Sequence, residues 1–167
     1  MLENQQYSKL TSMLLKRKMM KVIDPKCVDQ EPANPLYVYE VIRQAAGNYK
    51  LVNIMDPQRT LVPNGGGWVF AIMDDAPGAV ICGKADYQHV HGHTSLTGIC
   101  EHKKGGVIIE RERGVYFAGE LVFSAGRLTR WTNGSGHFAP SRSLAFSNLL
   151  APVRLTLPIH LFRPEDA

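Results

Sequence analysis

Val115-Tyr116-Phe117-Ala118-Gly119-Glu120-Leu121-Val122-Phe123, followed by Ser124-Ala125-Gly126 and Leu128-Thr129-Arg130-Trp131, is the stretch that decides the fold. Alternation of large apolar residues on either side of a short Gly-containing connection predicts an antiparallel hairpin, with Gly126 where a positive φ is wanted. On its first strand Tyr116, Ala118, Glu120 and Val122 share one face, and Phe117, Gly119, Leu121 and Phe123 share the other. Glu120 is therefore expected among apolar neighbours on a half-buried strand, where a carboxylate needs a donor or shifts its pKa upward.

Working outward, Trp68–Met73 and Ala79–Cys82 read as strands, joined by Asp74-Asp75-Ala76-Pro77-Gly78, which has hairpin-turn chemistry. Pro35–Gln44 is open between a strand, favoured by Leu36-Tyr37-Val38-Tyr39, and a short helix, favoured by Glu40–Ala46 ahead of Gly47. Ser141 is placed to cap a last short helix over Arg142–Leu150, ahead of Pro152. Residues 3–23 predict an amphipathic helix, since Tyr7, Leu10, Met13, Leu14 and Met20 recur at three- and four-residue steps before Asp24-Pro25. Asp29–Pro35 reads as a linker. The expected fold class is thus α+β: a mainly antiparallel sheet with an N-terminal amphipathic helix and a short C-terminal helix. Residues 1–34 form helix and linker, and residues 35–167 form one domain.

The bulk numbers fit that size. With 167 residues, 44% hydrophobic and 20% charged, the chain supports one buried core. No apolar run has the length of a membrane span, and no signal peptide opens the chain, so it is read as cytoplasmic when synthesised, with any export left to dedicated machinery. Cys27, Cys82 and Cys100 form no CxxC pair, which argues for reduced thiols. Six Lys/Arg in residues 1–26 face only Glu3 and Asp24, so the net charge of +4 resides there and the remainder balances. A neutral body with a basic leading segment is not the charge pattern of a nucleic-acid binder. Leu10, Leu14 and Met19 at one-five-ten spacing among Lys16, Arg17, Lys18 and Lys21 match a helix that calmodulin-like proteins wrap, over residues 7–22, a helix that lies on an anionic membrane, or one docked on its own sheet with its basic residues outward.

Three polar motifs interrupt the strand-like half: His93-Thr94-Ser95-Leu96, Ala118-Gly119-Glu120, and Ser135-Gly136-His137-Phe138 with Pro140. His89, His91 and His93 alternate, so on a strand they would face one way with metal-ligand spacing, though no HExxH or cysteine pair accompanies them. Ser95 or Thr94 as nucleophile, His137 as base and Glu120 as orienting carboxylate make a second arrangement. A third follows the layout of ADP-ribosyltransferases. There His93, Thr94 and Ser95 hold a nucleotide donor such as NAD, Arg43 takes its phosphates, and Glu120 stabilises the cationic transition state. A polar cluster that only fixes strand register remains the fourth.

Together the motifs resemble a domain shared by plant IQ-motif calmodulin-binding proteins and bacterial effector- or toxin-like proteins. Its pattern is a His-Ser-Ser-Phe-Leu-like segment, then Ala-Gly-Glu or Ala-Gly-Arg, then Ser-Gly-His-Tyr-x-Pro before a short helix. The similarity runs over about residues 66–150. Thr94 and Phe138 depart from it, Glu101–Arg113 reads as an inserted charged loop, and no IQ motif is present. The resemblance implies an effector or toxin context acting on a protein in a host or competitor cell. A non-enzymatic binding or regulatory module is the alternative.

Overall fold

In the computed structural model, the described residues are 30–98, 101–102, 108–109 and 114–165. They form a seven-stranded antiparallel sheet in the order β3-β2-β1-β5-β4-β8-β9. Its strands are β1 (Val38–Arg43), β2 (Tyr49–Asn53), β3 (Thr60–Leu61), β4 (Gly65–Met73), β5 (Ile81–Lys84), β8 (Val115–Ser124) and β9 (Arg127–Trp131). Two dipeptide strands, β6 (Glu101–His102) and β7 (Ile108–Ile109), pair apart from it. Among the described residues the α-helices are few and short: α1 (His93–Thr97), α2 (Leu144–Ser147) and α3 (Ala151–Thr156).

The expected α+β class is therefore corrected to a mainly antiparallel β fold. What the C-terminal segment contributes is two brief helices rather than one, because Pro152 sits in the first turn of α3, where its missing N–H costs nothing, instead of stopping a longer helix. The expected N-terminal helix over 3–23 and its calmodulin-type segment 7–22 lie outside the described residues.

Alternation along the strands builds two cores. Tyr39, Val41, Tyr49, Leu51, Phe70, Phe117, Leu121 and Trp131 point to one face, and Val38, Val69, Ala71, Ile81 and Ala118 to the other. An isolated bridge between Asn48 and Arg127 and a bond from Tyr49 N–H to the Gly126 carbonyl at 2.7 Å draw β2 towards β9. The sheet thus curls, with the larger core inside the curl. Val153 of α3, Leu157 just after it and Ala145 of α2 close that concave side. The convex side is covered by Leu96 of α1, Val90, Phe138 and Ala33.

The predicted hairpin is present. Its connection is two residues, Ala125 and Gly126, with φ of 47° and 81°, and Ser124 pairs with Arg127. Both positive angles make the turn of the I′ kind that matches strand twist. Pro35–Tyr37 is a single 3-10 turn, after which β1 runs extended. Residues 30–34, expected as linker, lie along the convex face: Ala33 is fully buried and donates its N–H to the Ser95 carbonyl at 2.9 Å.

Candidate functional site

The convergence of the three motifs is organised by Gly119. A Cβ at that position would overlap the carbonyl oxygen of Thr132, stand 2.8 Å from its carbonyl carbon and 3.0 Å from Phe70 Cε1. Only a residue without a side chain lets the chain leaving β9 cross so close to β8. Thr132 N–H bonds to the Glu120 carbonyl at 2.9 Å, which seats the crossing and aims the following Ser135–Phe138 turn at the convex face. From the other side, the buried His93 ring brings Nε2 within 2.8 Å of the Gly119 carbonyl. That nitrogen must carry the proton, since its partner is an acceptor only.

His93 is held neutral. Burial pushes its pKa down to about 4; the Gly119 bond opposes this and the nearby His137 adds to it. The two imidazole rings lie 6.4 Å apart between centroids, tilted by 57°. His137 is half-buried in a compact turn in which Ser135 Oγ accepts the Phe138 N–H at 3.3 Å and the Ser135 carbonyl accepts the Ala139 N–H at 2.6 Å. Phe138, beside His137, packs with Leu96 of α1 and Ala118 of β8, so apolar neighbours of all three motifs share one core.

Ser95 and Thr94 stand on a five-residue helix rather than on a strand. Ser95 is fully buried, and its Oγ accepts the His91 N–H at 3.1 Å. Thr94 Oγ1 donates to Gln30 Oε1 at 2.6 Å. Both hydroxyls tie the loop, the helix and the 30–34 segment together.

Glu120 differs from the expectation of burial: its side chain is exposed. The reason is that β9 pairs only as far as Trp131, and the elements covering the convex face stop short of this edge. Partial desolvation raises its pKa, the nearby Glu165 carboxylate raises it further, and Arg130 opposes both. Glu165 and Arg130 are members of this corner that sequence reading missed. Arg130 has the pattern of an ordinary exposed strand residue, and nothing in the sequence near Glu165 links it to β8.

Arg43 is placed elsewhere. It ends β1 on the concave side, where its Nη1 donates to the Leu155 carbonyl at 2.8 Å. β5 and β4 intervene between β1 and β8.

The three alternating histidines do not share a face, because Asp86–Gly92 is a loop and not a strand. His89 stacks on Tyr37 at 3.6 Å and bonds to Asp86 at 2.8 Å; His91 approaches Glu31 at 3.7 Å; His93 turns to Gly119. Among the described residues no group of three His, Cys, Asp or Glu is arranged to hold a metal ion. No helix among them is long and apolar enough to cross a membrane.

Comparison with known protein families, with curated proteins and with solved structures finds no match to this chain.

Proposed function

We propose that the chain is an effector- or toxin-type group transferase, taking its group from a nucleotide such as NAD and passing it to a protein target, with Glu120 as the catalytic carboxylate. The observation that supports this reading most is a contrast within the motif set. His93, Thr94 and Ser95 are engaged in internal bonds, whereas Glu120 presents a partly desolvated carboxylate to solvent from a central part of a ten-residue strand.

In such a transfer the bond between ribose C1′ and the nicotinamide nitrogen breaks, its electron pair leaving with the ring. C1′ then carries developing positive charge, and a carboxylate held by a rigid strand stabilises it without reorganising. A nucleophilic oxygen or nitrogen of the target closes on C1′ and gives its proton to a base, the role assigned to His137. Arg130, beside Glu120, replaces Arg43 as the guanidinium near the reacting centre, since Arg43 lies across the sheet.

A binding or regulatory module is the second reading, supported by the same saturated bonds of Thr94, Ser95 and His93. Growth separates the two. In cells expressing the chain, Glu120→Gln is expected to relieve toxicity by cutting the reaction about 10²-fold or more. The side chain is exposed, so stability changes by no more than about 0.5 kcal/mol. Undiminished toxicity of a folded Glu120→Gln protein would dismiss the transferase reading.

A further inference from the structure

Strand β1 outruns its neighbour β5. Val38, Tyr39 and Glu40 pair with Gly83, Cys82 and Ile81, and Val41 adds one more bond, its N–H to the Val80 carbonyl at 2.9 Å. There the pairing ends, because the chain before β5 is folded back in a turn, with Ala76 N–H on the Met73 carbonyl and Ala79 N–H on the Ala76 carbonyl. In this antiparallel register Tyr39 and Val41 turn their backbone groups towards β5, and the next residue to do so is Arg43. Among the described residues nothing bonds to its N–H or its carbonyl. The gap beyond β5 is a groove of about 560 Å³, with residues 41–44 on one wall, residues 78–80 on the other, and Pro152 and Leu155 of α3 on the concave side. The Arg43 side chain is drawn away to the Leu155 carbonyl at 2.8 Å. A Cβ on Gly78 would meet nothing within 4 Å, and no proline guards this edge of β1.

We infer that this groove is a docking site for an extended segment of a partner protein, which continues the sheet where β5 leaves it. A strand is the occupant that answers an N–H and a carbonyl offered together by one residue of a strand edge. The walls choose its side chains. Val38 packs in the convex core, and Tyr39 and Val41 in the concave one, so Glu40 and Ile42 face the convex side and Arg43 the concave side. The incoming residue opposite Arg43 therefore meets Pro152 and Leu155, the latter 70% exposed, and is apolar. Its sequence neighbours face the convex side beside Glu40, a carboxylate without an ion pair among the described residues, and are Lys or Arg. That the segment belongs to the modified target rests on the transferase reading; the groove and its alternating basic and apolar occupant do not.

The test uses the full chain, ¹⁵N-labelled, and the peptide acetyl-Lys-Val-Lys-Val-Lys-Val-amide. Saturating peptide is expected to slow amide hydrogen exchange at Arg43 about tenfold or more, while Ile42, already paired with Lys50 of β2, stays as it was. The same peptide N-methylated at its valines keeps every side chain but loses the donors that face Arg43, and should bind at least about tenfold more weakly. Leu155→Asp and Glu40→Lys, each on a wall of the groove, should weaken the unmethylated peptide by a similar factor. Three results each overturn the inference: no protection of Arg43 with about 1 mM peptide, equal binding of the methylated peptide, or indifference to both substitutions. Protection of Arg43 in the free chain would mean that a second copy or the chain's own residues fill the groove, and overturns it too. If the variants do not fold, the two peptides on the wild-type chain decide. Peptide binding combined with toxicity that ignores Glu120 keeps the groove and removes the transferase reading. Toxicity that needs Glu120, without peptide binding, does the reverse.

Discussion

Replacing Gly119 with Ala is the sharpest structural perturbation this fold offers. The added methyl overlaps the Thr132 carbonyl oxygen and crowds Phe70, so the crossing chain must move, and a backbone carbonyl cannot swing aside as a flexible side chain would. Overpacking of this kind costs about 1–3 kcal/mol. The shift also disturbs two bonds, His93 to the Gly119 carbonyl and Thr132 N–H to the Glu120 carbonyl, each contributing roughly 1 kcal/mol. A total of about 3 kcal/mol or more is expected, which lowers the melting temperature by roughly 6–12 °C for a chain of this length. Gly136→Ala is the control, since nothing lies within 4 Å of a Cβ there and only a change within about 0.5 kcal/mol is expected. Thermal melts of both variants, with urea midpoints as a check, supply the measurement. A Gly119→Ala protein melting within about 1 °C of wild type would refute the claim that the motifs are assembled by close passage at this residue.

Other predictions concern the same framework. His93 has a folded pKa pushed below the unfolded value, so the unfolded chain binds the extra proton, and stability present above about pH 6.5 is lost as pH falls towards 4. Its share between pH 7 and pH 5 is about 2 kcal/mol, and in His93→Gln, whose amide still donates to Gly119, the slope of stability against pH in that window should flatten; an unchanged slope contradicts the neutral, buried imidazole. Trp131→Ala, which empties a fully buried site against Phe70, Phe117 and Phe162, should cost about 3–5 kcal/mol by denaturant unfolding, and a loss under about 1 kcal/mol would contradict the core assignment. Ala125→Asn, at a φ of 47° in the hairpin turn, should raise the melting temperature slightly, by about 0.5 kcal/mol of relieved strain, while a fall would contradict the turn geometry.

Much of the sheet is legible in the sequence where side chains alternate strongly. Phe117, Leu121 and Phe123 against Leu128 and Trp131 announce the β8–β9 hairpin, and Trp68-Val69-Phe70-Ala71-Ile72-Met73 announces β4. The reading fails where the deciding contact is tertiary. Five residues are too few for helical periodicity to register, so His93–Thr97 gives no sign of its turn, and the His89–His93 alternation mimics a strand in what is a loop capped by Asp86. Glu120 looks buried because its strand neighbours are apolar, yet exposure depends on where β9 and the covering elements end, which local sequence does not record. Gly119 carried a usable signal: a glycine inside a strong strand marks close backbone approach. Gln30 carried none, since its partners lie more than sixty residues away.

Glu120, whose carboxylate stands exposed beside Glu165 and Arg130 on the strand that carries Gly119, is the group proposed to do the chemistry. Nicotinamide release from NAD by the purified chain, measured for wild type and for Glu120→Gln at matched melting temperature, tests this most directly. Release by wild type falling about 10²-fold or more in the variant is the predicted result. Equal rates in the two proteins, or no release from wild type with a full complement of target protein present, would contradict it.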